Sequence, residues 1–81
     1  MHFIYILKCS DNSLYTGYTN DIGKRMEKHR LGKGSKYVRA KSPFELIYTE
    51  EFTEKIPALK REFEIKTWSR ERKIKELGLK V

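Results

Sequence analysis

Cysteine occurs once in these 81 residues, so no internal disulfide can form. With two histidines far apart in the chain, no Cys/His cluster offers a structural zinc site either. Proline occurs twice, and there is no internal repeat, low-complexity tract or Pro/Gly-rich linker. No apolar run approaches the roughly 20 residues of a membrane span. The first strand signal begins at residue 2 or 3, which leaves no room for a secretory leader, so the cytoplasm is the expected location. Acidic side chains are sparse in the first half of the chain; from Lys24 to Lys41, where bases are dense, there is a single one, Glu27.

What is present suffices for one small core. Val, Ile, Leu and Phe together number 20 and aromatics number 10, enough to lift the chain clear of a disordered composition. Without staples, such a core supplies on the order of 3–5 kcal/mol. Residues 1–81 are expected to form a single domain.

The net charge of +7 is distributed unevenly. Residues 24–41 hold eight Lys/Arg against one acid, a local +7, while the rest balances ten bases with ten acids. A continuous basic segment is the footprint of a polyanionic partner, most often nucleic acid. The plain alternative is a solubilising surface. The segment has too few large apolar residues to insert into a membrane surface.

Two apolar runs, Phe3–Leu7 and Leu14–Thr19, flank the turn-forming Cys9-Ser10-Asp11-Asn12-Ser13, which predicts an antiparallel hairpin. Phe3, Tyr5 and Leu7 face one way and Ile4 and Ile6 the other, as in a central strand covered on both sides. Thr19 or Asn20 is expected to cap a helix with Asp21 in its first turn, with Ile22 and Met26 as its buried stripe and Gly32 or Gly34 as its stop. Lys33–Pro43 reads as a basic loop. A third, edge strand is expected near Phe44–Glu51, with Phe44, Leu46 and Tyr48 inward. Thr53 should cap a second helix running to about Trp68, and Ser69 a short third one with Ile74 and Leu77 inward, ended by Gly78. The order ββαβαα with a three-stranded antiparallel sheet flanked by helices is an α+β fold. His2 is expected to be disordered, and Cys9 to be a small residue near the turn.

Several side chains carry possible chemistry. Tyr5 and Tyr15 lie on paired strands, Gly17 leaves bare backbone beside them, and Arg25 and His29 share one helix face four residues apart. On the helix after Thr53, at about 100° per residue, Glu62 falls inside the apolar arc marked by Ile65, Ala58, Leu59, Phe63 and Ile56, whereas Glu64 falls outside. A carboxylate in a buried arc needs a cation, hydrogen bonds or a metal. Each feature has a plain alternative: a packed tyrosine pair, a solvated helix face, and an i,i+4 ion pair between Glu62 and Lys66. Tyr37, in the basic loop, is either a loop anchor or a base-stacking platform. Phosphodiester cleavage would use these residue types: an activated nucleophile, a cation on the phosphate, and a carboxylate-bound divalent ion. A phenol with pKa near 10 is a weak base unless cations lower it.

Phe3-Ile4-Tyr5, Tyr15-Thr16-Gly17, Thr19, Arg25, His29 and Ala58-Leu59-Lys60-Arg61-Glu62 resemble, in order and spacing, the GIY-YIG nuclease superfamily over nearly the whole chain. The chain looks like the short stand-alone bacterial proteins of the UPF0213 type. Phe3 stands where the family name has Gly, and Thr16 where it has Ile. The resemblance implies a metal-dependent nuclease hydrolysing DNA, in repair or recombination, with one Mg2+ or Mn2+ ion on Glu62. It implies Tyr5 as general base, Tyr15 as its helper and Arg25 as the phosphate clamp; His29 matches a position that is catalytic in some members. With no appended module, DNA affinity would rest on Lys24, Lys28, Lys33, Lys36, Tyr37, Arg39 and Lys41. The alternative is a nucleic-acid-binding module with little or no cleavage.

Overall fold

The structure, a computed structural model, describes residues 1–81. Strands β1 (His2–Lys8), β2 (Leu14–Thr19) and β3 (Glu45–Phe52) form one antiparallel sheet in the order β2-β1-β3. The apolar first strand is therefore central, as its two-sided pattern requires, and β3 is an edge. Asn12 closes the hairpin with a φ of 67°, a left-handed turn that asparagine tolerates. Helix α1 spans Ile22–Arg30, α3 Lys55–Lys66 and α4 Arg70–Leu77. The ββαβαα order holds with one addition: a five-residue helix α2, Lys36–Ala40, inside the segment read as a loop. Ser35 caps it by accepting from the Val38 amide, and Val38 is its buried anchor.

Each face of β1 carries its own core. Ile4 and Ile6 pack with Ile65 and Leu79, flanked by Trp68, Ile74 and Leu77 of the α3–α4 region. On the opposite face Tyr5 and Leu7 pack with Val38, flanked by Tyr15, Ile22, Met26 and Phe44. The alternation read in Phe3–Leu7 thus separates two layers of helices.

Local expectations differ in instructive ways. Asp21, not Thr19 or Asn20, caps α1, its carboxylate accepting from the Lys24 amide, while Thr19 Oγ1 accepts from the Asp21 amide one step earlier. Gly32, at φ 76°, ends α1, and Gly78, at φ 62°, ends α4, where Ser69 is the cap. The cap of α3 is Glu54 rather than Thr53, and the helix stops at Lys66, short of Trp68. A register shift opposite Ile6 and Leu7 breaks the alternation of β3: Ile6 pairs with Tyr48 and Leu7 with Leu46, which leaves Ile47 to fill the core while Leu46 is exposed. Pattern reading assumes an unbroken period of two and cannot see such a bulge. His2 is ordered, stacked on Tyr18 with Nδ1 2.7 Å from its hydroxyl. Cys9 is buried at the end of β1.

Candidate active site

Tyr5 and His29 are the two most buried polar-tipped rings of the domain, at 1% exposure each. Tyr5 Oη lies 2.8 Å from His29 Nε2. The α1 stripe was expected to bury Ile22 and Met26 with His29 at its edge; instead His29 is the buried residue of the helix and those two are half-buried. Tyr15 completes the cluster, its ring 6.3 Å from Tyr5 and 5.7 Å from His29, and Phe44 meets His29 edge-on.

Two glycines make room for the pair. A Cβ on Gly17 would overlap Cζ and Oη of Tyr5, so the bare backbone is what lets the phenol lie across β2. A Cβ on Gly34 would sit 2.6 Å from His29 Nδ1. Nδ1 is buried with no hydrogen-bond partner. The tautomer of the ring therefore sets which of Tyr5 and His29 donates in the 2.8 Å contact.

Burial raises the pKa of Tyr5; Tyr15 adds to this, Arg25 opposes it, and Glu62 raises it again. The cationic pull expected of Arg25 is present but outweighed by desolvation. Burial, and after it the Arg25 charge, lowers the pKa of His29, which keeps the ring neutral. Arg25 and Glu62 thus both lie within electrostatic reach of the same phenol, one carried by α1 and the other by α3, which packs on β1 and β2. Of the other candidates, Tyr15 and His29 touch Tyr5, while Arg25 and Glu62 bear on it through their charge.

Glu62 lies in the buried arc of α3, its side chain 20% exposed against 54% for Glu64. The arc is narrower than expected: Ala58 and Ile65 are fully buried, whereas Ile56 and Phe63 are largely exposed. Lys66 Nζ stands 3.0 Å from Glu62 Oε2, so the i,i+4 ion pair forms. Arg61, within the same motif, is structural: it binds Glu50 and Glu64 and lies over Trp68. No three His, Cys, Asp or Glu side chains gather into a metal-binding group. Magnesium needs no such cage; it takes one or two carboxylates and completes its shell with water and phosphate oxygens, and Glu62 fits that role.

The basic residues divide into two sets. Lys24, Arg25 and Lys28 line a cavity of about 140 Å3 with Thr19, Asn20 and Asp21. Lys33, Lys36 and Arg39 are exposed beyond α1. Lys41, by contrast, is bound to Asp11 and lies 4.7 Å from the centre of the Tyr37 ring, which in turn stacks on Tyr15. Tyr37 is therefore engaged by two neighbours while still 40% exposed, and it lies in α2 rather than in a loop. The largest cavity, about 600 Å3 between α1 and residues 42–44, contains none of the candidate residues. Sequence reasoning missed Gly34 and Lys73. Gly34 leaves a trace, a second glycine two residues after the one that ends α1; the buried Lys73 leaves none.

The GIY-YIG catalytic domain model matches residues 1–75. A UPF0213 protein of Staphylococcus epidermidis is 55% identical over 74 residues, 91% of this chain and 90% of that protein. A UPF0213 protein of Staphylococcus aureus is 53% identical over the same lengths. Two solution NMR structures are similar: UPF0213 protein BH0048 from Bacillus halodurans, with 45% identity and a TM-score of 0.63, and protein EF2693 from E. faecalis, with 37% identity and a TM-score of 0.67. Each comparison covers 95% of this chain and 82% of the other. No helix is long and apolar enough to cross a membrane.

Proposed function

This chain belongs to the GIY-YIG family, and we propose that its single domain, residues 1–81, is a divalent-metal-dependent endonuclease hydrolysing phosphodiester bonds of DNA in the cytoplasm, in repair or recombination. The observation that carries this reading is the 2.8 Å contact of Tyr5 with His29, within reach of Arg25 and Glu62. Tyr5 first gives up its phenol proton to solvent, once the positive charge that arrives with substrate lowers its raised pKa, and the phenolate oxygen then takes the proton of the attacking water. His29 steadies the phenol oxygen through Nε2–H, and Tyr15 packs against both rings. Arg25 neutralises the phosphate oxygens. Glu62 would hold a Mg2+ or Mn2+ ion, which would supply Lewis-acid charge to the phosphate. Lys24, Lys28, Lys33, Lys36 and Arg39 hold flanking phosphates, with Tyr37 and Lys41 bordering the site.

The test is Tyr5→Phe, which removes one hydroxyl. Metal-dependent cleavage of a branched DNA should fall by about a hundredfold or more while the domain stays folded. Full activity in that variant removes Tyr5 from the mechanism. A second reading, a nucleic-acid-binding module with little cleavage, is favoured by the Lys66 ion pair on Glu62 and by the raised pKa of Tyr5. The parent binding DNA without cutting it in magnesium would select that reading.

A further inference from the structure

Glu62 is already occupied by an ammonium group. Lys66 Nζ sits 3.0 Å from Glu62 Oε2, one helical turn away in the favoured order of acid before base. The lysine is half-exposed while the carboxylate is largely buried, so the ammonium can leave into solvent and the carboxylate cannot follow. Lys73 of α4 is 8% exposed and has no carboxylate partner; the charge that acts on it is Lys66, which, with burial, lowers its pKa. Lys66 is thus held by Glu62, and its charge bears unfavourably on the buried Lys73.

We propose that Lys66 is a displaceable counter-ion of Glu62: it neutralises the carboxylate in the metal-free protein and must swing away before a divalent cation can bind there. The inference rests on the reading of Glu62 as the metal ligand. It gives α3 two states, latched and open, and the fraction open scales the apparent metal affinity. The pair stabilises the empty site, which would otherwise bury an uncompensated anion. Its partial exposure keeps it weak enough for a divalent ion to break.

The experiment titrates Mn2+ alone, without nucleic acid, into the 15N-labelled full chain and follows paramagnetic broadening of the α3 amide signals. Lys66→Gln should bind Mn2+ about threefold more tightly than the parent, the gain expected from removing a competing helical ion pair. Lys60→Gln removes one exposed positive charge from the same helix and should gain less than half as much, because it removes no competitor. Equal gains in both variants would overturn the latch and leave the metal reading standing, provided Glu62→Gln loses the broadening. Broadening unchanged in Glu62→Gln, or absent from both the parent and Lys66→Gln, would overturn the metal reading and the latch with it.

Discussion

The Nδ1 atom of His29 lies against the backbone of Gly34, so closely that a Cβ there would stand 2.6 Å away. A segment that follows α1 thus closes the back of the imidazole whose front faces Tyr5. Both partners of the central hydrogen bond are positioned by the missing side chain of a glycine.

Alanine at the three non-turn glycines should separate their roles. Gly34→Ala and Gly17→Ala overpack rigid rings and should each cost about 1–3 kcal/mol in urea unfolding. Gly23→Ala adds a methyl inside α1 whose nearest neighbour is 3.6 Å away, and should stabilise by about 0.5–1 kcal/mol. A destabilised Gly23→Ala, or a neutral Gly34→Ala, would contradict the packing described.

Stability should depend on pH through His29. Burial holds its folded pKa below the ordinary value of 6.5, so the folded state binds its proton less readily than the unfolded chain. Its contribution is complete above that value and is lost as pH falls through the lower folded pKa. The melting temperature should therefore drop on acidification below about pH 6.5, and His29→Asn, neutral throughout, should show a flatter profile from about pH 7 to pH 5. Parallel profiles would mean that His29 titrates alike in both states.

DNA affinity should fall steeply with salt. Each phosphate neutralised contributes a log–log slope of roughly −0.7 to −0.9. Replacing Lys33, Lys36 and Arg39 together should flatten the slope and weaken binding to all sequences alike. Lys41→Gln should change the slope less, because Lys41 is committed to Asp11. An unchanged slope in the triple variant would place the contact surface elsewhere.

The fold was legible wherever a simple period operates. The two faces of β1, the hairpin, the edge position of β3 and the stops at Gly32 and Gly78 all follow from local pattern and turn chemistry. Pattern failed where tertiary packing sets the outcome. The bulge at Ile47 exposes Leu46; α3 buries only one side of its apolar arc and leaves Ile56 and Phe63 in solvent; and His29 is buried because a phenol and a bare glycine receive it. The candidate site was readable as a set of residue types at set spacings. Spacing offered the Glu62–Lys66 pair, which forms; what it could not say is that Lys41 is bound to Asp11 or that Tyr37 stacks on Tyr15.

The most direct measurement sets two glutamates of α3 against each other. Glu62 is largely buried and within reach of Tyr5, whereas Glu64 is exposed and pairs with Arg61, which Glu50 also holds. Cleavage of a branched DNA is followed with and without magnesium for the parent, Glu62→Gln and Glu64→Gln, beside their melting curves. The account predicts magnesium-dependent cleavage in the parent and in Glu64→Gln, and none in a folded Glu62→Gln. Equal cleavage by Glu62→Gln and the parent would contradict it.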